Sequence, residues 1–241
     1  MNGSLLQNNR ILQNFENIIM KPVISPIKFN SEIQMILDIK SCLIFLIMAF
    51  LAGPVCAQES GISWREAMDQ DGSWYGSNEA QRIADNVLLY QNNNGGWLKN
   101  IDMADGLSAS EITQLKKEKS KRSGTTIDNG ATHTQLRYLA KVYDATEKPE
   151  YKEAFLKGID YLLEAQYENG GWPQFYPIQK GYYEHITFND DAMMGVMNLL
   201  RDIAHQKEPY QFVDKERCER SQQAIQKGLD IILKTQVKVD G

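Results

Sequence analysis

Two short runs in this sequence carry several hard oxygen donors side by side: "TIDNGATH" at 126 to 133 and "FNDDAMM" at 188 to 194. The first supplies Asp128 and Asn129, the second Asn189, Asp190 and Asp191, and each run stands directly before a helical pattern. Asp and Asn are favoured helix caps, because their side-chain oxygens accept the free N–H groups of the first turn. One cap needs only one side chain, however, and clustered oxygens from two places also suit a divalent cation that keeps positions open for an anionic ligand. On the residues alone both readings stand.

Aromatic residues accompany these runs: Trp97, Trp172, Phe175, Tyr176, Tyr182 and Tyr183, with His185 beside them. Sugar rings stack on such faces, and Lys99, Asn100 and Gln174 offer polar partners for the remaining hydroxyls. A cleft lined by rings and carboxylates points to a polysaccharide. The alternative is that several of the rings belong to the core.

The elements that must position these groups are helices. Ile83, Val87, Leu88 and Tyr90 share one face over 79 to 91, and Leu136, Leu139, Val142 and Tyr143 do the same over 131 to 143. Two further segments repeat in sequence, "KGIDYLLEAQ" at 157 to 166 and "KGLDIILKTQ" at 227 to 236. Gln91, Gln166 and Gln236 each close a helical pattern, 75 and 70 residues apart, which predicts a repeat of two helices per unit. After Gln91 comes Gly95-Gly96-Trp97, and after Gln166 comes Gly170-Gly171-Trp172. Paired glycines permit the positive φ that ends a helix. The expectation is that these corners do two jobs, stopping the helix and releasing a tryptophan to wall the sugar cleft.

Composition bounds the rest. The chain has 241 residues, 42% hydrophobic and 24% charged, within the globular range. Residues 1–57 read as a lead and signal peptide: Lys40 precedes the apolar run Cys42–Gly53, and Val55 and Ala57 fit a cleavage site after Ala57. This predicts a secreted or periplasmic protein with no stable membrane span after cleavage, and a single domain over 58–241. That part keeps 22 of the 26 basic and 28 of the 31 acidic side chains, a net charge of about −6, which argues against nucleic acid as a partner. Of three cysteines only Cys218 lies beyond the leader, so neither an internal disulfide nor a zinc cluster is available. The basic run "KKEKSKR" at 116 to 122 reads as a solvated helix with Ser108 and Glu111 spaced as its capping box.

The blocks "GGWLKNIDM" (95–103), "TIDNGATHTQLRYLAKVY" (126–143) and "ENGGWPQFYPIQKGYYEHITFNDDAM" (168–193) resemble the family 10 polysaccharide lyases, pectate lyases with an (α/α)3 barrel. The resemblance covers about 65 to 241. Leu98 stands where the family usually has proline, and His133 where it usually has threonine. The resemblance implies an all-α toroid of helical hairpins, here lacking its C-terminal part. It further implies cleavage of polygalacturonate (pectin) by β-elimination, in which Ca2+ bridges protein carboxylates and the uronate and stabilises the charge developing as the C5 proton leaves. Asp128, Asn129 and Asp190 match the family's calcium positions, with Asp191 a lesser candidate. The catalytic base is an arginine in the family's C-terminal part, beyond residue 241; Arg122, Arg137 and Arg201 do not match it. Little turnover is therefore expected of the chain as it stands. Two other readings remain: a non-catalytic polysaccharide-binding helical repeat, and a terpene-cyclase-like α/α barrel suggested by "QDGSW" at 70 to 74.

Overall fold

The computed structural model describes residues 61–120 and 123–237; the leader assigned to residues 1–57 lies outside them. The described residues are helical, without a strand longer than an isolated bridge. They form α1 (Trp64–Met68), α2 (Asn78–Tyr90), α3 (Ala109–Glu118), α4 (His133–Thr146), α5 (Pro149–Glu164), α6 (Ala192–Ala204) and α7 (Lys215–Thr235). Short 3-10 turns occur at Gly72–Gly76, Asp128–Gly130 and Tyr182–Glu184.

Local chemistry sets the ends. Ser77 caps α2 through Ala80 N, and Asp214 caps α7 through Arg217 N. Ser63 with Glu66 and Ser108 with Glu111 form capping boxes on α1 and α3. Pro149 starts α5, where its missing N–H costs nothing. "QDGSW" runs into the 3-10 turn Gly72–Gly76 before α2, where the Tyr75 hydroxyl donates to the carbonyls of Ala67 and Met68.

The helices lie in two layers. In one, α2 touches α5 and α5 touches α7; in the other, α4 touches α6. The pairs α4 with α5 and α6 with α7 are the α/α hairpins of the repeat. Between the layers lies one core that includes Ile83, Val87, Leu136, Leu139, Phe155, Ile159, Val196 and Leu200. Arg217 of α7 reaches Asp160 of α5 with both Nε (3.0 Å) and Nη2 (2.6 Å), a bidentate tie within the first layer.

The repeat unit is closed in the same way twice. Gln91 donates from Nε2 to Gly95 O (3.0 Å) and to Ala154 O of α5 (2.8 Å). Gln166 donates to Gly170 O (2.9 Å) and to Ala224 O of α7 (2.8 Å). Gly95 and Gly170 hold φ of 98° and 99°, and a Cβ on either would collide with the backbone carbonyl of Lys157 or Lys227. Only glycine serves there, for both reasons. The corner of each unit is thus pressed onto the Lys-Gly of the following unit's helix.

The tryptophans follow inward, which corrects one expectation. Trp97 and Trp172 are 0% exposed, and their indole N–H groups donate to Val87 O and Leu162 O, both at 2.8 Å. A Cβ on Gly158 would meet the Trp97 ring at 3.1 Å, and one on Gly228 the Trp172 ring at 3.4 Å. Each indole fills the space that the mid-helix glycine of the next unit leaves open. Neither ring presents a face to a sugar; burial of so large an apolar surface outweighs any use at a cleft.

Candidate functional site

The site is built on the connectors between layers, not on the helices themselves. The segments around Trp97, Thr126 and Gln174 run alongside one another: Thr126 N donates to Trp97 O (3.0 Å), Ile127 N to Gln174 O (3.2 Å) and Tyr176 N to Thr125 O (3.1 Å). Thr132 ties the set together, its hydroxyl accepting from Trp97 N (3.2 Å) and donating to Thr126 O (2.8 Å). Further along, Thr187 N donates to Trp172 O (2.9 Å) and Ile186 bridges Pro173. Each connector therefore carries its polar residues past the same rungs: Lys99 and Asn100 after Trp97, Asp128 and Asn129 after Thr126, Asn189 to Asp191 after Thr187.

Asp128 is the centre. It is 4% exposed, and its Oδ2 accepts from the Lys99 ammonium and from Gln174 Nε2 (2.6 Å), while Oδ1 accepts from Asn129 N (3.0 Å). Lys99 also lies over the Phe175 ring, 5.9 Å from its centroid. Asn129 is exposed and donates to Asn100 Oδ1 (3.0 Å). Five of the expected residues, Lys99, Asn100, Asp128, Asn129 and Gln174, thus form one connected group.

The second acidic run reaches the same end of the molecule. The Asp128–Gly130 turn rests against α6, and His133, the first residue of α4, lies so close to Gly195 that a Cβ there would overlap its imidazole. The N-terminal ends of α4 and α6 are therefore neighbours. Asp190 and Asp191 are exposed at the head of α6, and Asp190 Oδ2 accepts from Asn189 Nδ2 (2.6 Å). No side chain of Asp128, Asp190 or Asp191 caps a helix: the N-cap positions of α4 and α6, Thr132 and Asp191, have no side-chain capping bond. The capping explanation of these acids is thereby removed.

The backbone is unusual at the same places. Asn100, Asn129, Thr132, Asp190 and Asp191 all have φ between 51° and 66°. Asn and Asp tolerate this conformation better than other side chains, but each instance carries strain that persists only where surroundings impose it, and such residues gather at functional sites.

The remaining expected residues are more scattered. Tyr183 is 41% exposed and meets Phe175 edge-on at 5.2 Å, which keeps it near Lys99. Tyr176 leans on the buried Tyr161 at 5.6 Å. His185 lies in a separate open groove of about 730 Å3, lined also by Tyr167, Glu168, Glu184 and Phe188. Arg137 and Arg201 are drawn into a cluster around Asp202, with Arg137 Nη1 also donating to the Tyr210 hydroxyl (3.5 Å).

A pocket of about 310 Å3 opens beside the Asp128 group, lined by Lys99, Asn100 and Asn129 together with Trp64, Arg65 and Thr134. Sequence reasoning found the first three and missed the last three. Trp64 and Arg65 arrive because Asp102 accepts from Trp64 N through Oδ1 (2.9 Å) and Oδ2 (3.2 Å), across 38 residues. The only trace in the sequence was the Ser63–Glu66 capping box that starts α1.

As for metal binding, the Asp128 and Asp190 loops offer oxygen donors of the hard kind that calcium prefers. Among the described residues no three His, Cys, Asp or Glu side chains converge as a ready-made cage.

A row of α/α hairpins whose connectors gather carboxylates and amides at one end is the architecture of the α/α toroid polysaccharide lyases. Residues 91–241 match the pectic acid lyase family, and the chain belongs to it. Among solved structures it is similar to a family 10 polysaccharide lyase from Cellvibrio cellulosa, 33% identical over 71% of this chain and 48% of that one, with a TM-score of 0.58. A mutant of a Cellvibrio cellulosa family 10 lyase in complex with trigalacturonic acid gives 33% identity, 71% and 49% coverage and a TM-score of 0.59. The chain thus spans about half the length of these solved structures. No protein of curated function matches it. Family membership sets aside the terpene-cyclase reading of "QDGSW".

Proposed function

We propose that this chain carries the uronate-binding and calcium-binding part of a pectate lyase that cleaves polygalacturonate by β-elimination. The observation that carries the proposal is the state of Asp128: a buried carboxylate that caps no helix, held by Lys99 and Gln174, beside the exposed oxygens of Asn129 and the head of α6. A carboxylate is costly to bury, and this one is oriented by three donors, the Lys99 ammonium, the Gln174 amide and the Asn129 N–H. The binding of trigalacturonic acid by a similar protein supports the choice of ligand.

In this reading Asp128, Asn129 and Asp190, with Asp191 at the margin, would hold calcium. Calcium held there would screen the uronate carboxylate and so ease removal of the neighbouring C5 proton. The chain's own residues bind and orient. Lys99, with 31% of its side chain exposed, faces both Asp128 and the open pocket and is placed to take a uronate oxygen. Asn100 presents its amide to sugar hydroxyls; Gln174, expected in the same role, is buried and instead holds Asp128, while Tyr183 and Phe175 supply ring surface. The apolar run 42–53 supports export, which puts the protein where pectin is. No helix of the described residues is long and apolar enough to cross a membrane.

The test is retention of polygalacturonate by the chain, with calcium and with a chelator, alongside ultraviolet absorbance of 4,5-unsaturated uronides. Retention strengthened by calcium is expected. Equal retention under both conditions would remove the calcium site, and no retention under either would remove the function.

A further inference from the structure

We infer that Arg65, at the start of α1, is a carboxylate-binding residue that extends the site to a second galacturonate unit; this rests on the pectate reading above. The pocket of about 310 Å3 beside Asp128 has cationic side chains on two sides, Lys99 from the Trp97 connector and Arg65 from α1. Its volume lies at the lower end of small-ligand sites, and its wall mixes one ring, Trp64, and the aliphatic Leu98 and Ile101 with amides and two hydroxyls.

The charge balance of that pocket is what singles out Arg65. Its sequence neighbour Glu66 is turned away, its carboxylate accepting from Ser63 N and Ser63 Oγ, both at 2.8 Å. Asp102 lines the pocket too, but its oxygens accept from the N–H groups of Trp64 and, at 2.9 Å, Ala104. Asp128, the calcium ligand of the reading above, is not among the residues lining the pocket and is held in place by Lys99 and Gln174. The acids around the pocket are thus occupied by the fold, whereas Arg65 is exposed and forms no ion pair among the described residues. A guanidinium held at a pocket wall without an internal acid matches a planar carboxylate from outside, with two parallel N–H donors.

The position is also firm. α1 is fixed by the Asp102 bonds to Trp64 N and by the Trp64 ring against buried Tyr138 at 5.0 Å. A polyuronate presents one carboxylate per sugar, so a chain anchored near Lys99 brings a neighbouring carboxylate within reach of this wall. The contrasting groove around His185 carries Glu168 and Glu184, which repel the same polymer.

Isothermal titration of the full chain with hexagalacturonate in calcium tests this, using Arg65→Ala and Arg65→Lys and, as a neutral comparator, the fully methyl-esterified hexamer. Arg65→Ala is expected to weaken the acid hexamer about tenfold, the scale of one hydrogen-bonded charge contact, and to leave the ester unchanged. Arg65→Lys should recover part of the loss, since it keeps the charge and loses the fork. Unchanged affinity for the acid, or equal losses for acid and ester, would overturn the assignment. If the unaltered chain binds neither hexamer, the pectate reading itself fails, an outcome distinct from a silent Arg65.

Discussion

Lys99 and Asp128 form an ion pair in which the carboxylate is buried while the lysine side chain is 31% exposed. The asymmetry decides what each can do. Asp128 cannot leave its place, because Gln174 and the Asn129 N–H hold it as well, whereas Lys99 can exchange its partner for an incoming anion.

Replacing Lys99 by Met should therefore separate the two ligands. Polygalacturonate affinity is expected to fall about tenfold, while calcium alone binds more tightly because its competitor for Asp128 is gone. Titrations with calcium and with hexagalacturonate, run separately, check both signs. A parallel weakening of both would show that Lys99 only supports the fold.

Asp128→Asn keeps the shape and removes the charge. Its expected effect is loss of the calcium dependence of polygalacturonate retention. The melting temperature should fall modestly, since Lys99 can still reach water. Retention measured with calcium and with chelator gives the answer.

The glutamine latches make a graded prediction. Gln91 is 3% exposed and Gln166 only partly buried, though each makes the same pair of bonds. Gln91→Ala strands two carbonyls out of water and should cost about 2–4 kcal/mol. Gln166→Ala should cost less, because solvent can replace its bonds. Urea unfolding of both variants tests the order.

Trp97→Ala removes a core ring and should cost about 3–5 kcal/mol. The milder Trp97→Phe is expected to lower stability while leaving hexagalacturonate affinity unchanged. Reduced affinity in a folded Trp97→Phe protein would restore a direct role for the indole.

His133 predicts an acid-side loss of stability. Burial, with Arg137 nearby, pushes its pKa down from the ordinary 6.5 to about 4. The fold therefore prefers the neutral ring. Its contribution is complete above about pH 6.5 and declines as pH falls from there towards 4, by at most about 3 kcal/mol. His133→Gln should flatten that part of the profile. Urea midpoints at pH 7.5 and pH 4.5 for both proteins are the measurement.

Much of the architecture was legible. Period, caps and the twin Lys-Gly helices located α2, α4, α5 and α7, although the last two begin well before the repeated motif, at Pro149 and Lys215. The Gly-Gly-Trp corners were recognised as helix stops, but the tryptophans were assigned outward. Their burial depends on Gly158 and Gly228, which are distant in sequence, and the pairing of a corner with a mid-helix glycine was the signal that could have revealed it. The group around Asp128 was foreseen because hard oxygens stood out by type. The left-handed backbone at Asn129, Asp190 and Asp191 was not, since residue type permits that conformation without demanding it. Arg65 escaped notice because a single long-range bond set, from Asp102 to Trp64, brings it to the pocket.

The latch between one unit and the next gives the molecule a grammar of tolerated change. Gln91 is fastened to Ala154 and Gln166 to Ala224, 63 and 58 residues further along, so a single residue inserted within α5 or α7 would rotate the receiving carbonyl out of reach of a turn made long before it. By contrast α3 has no buried residue, and added length there disturbs no such fastening. Tags and linkers belong on α3, and the spacing from corner to receiving helix is what a designer of longer or shorter rows must hold constant.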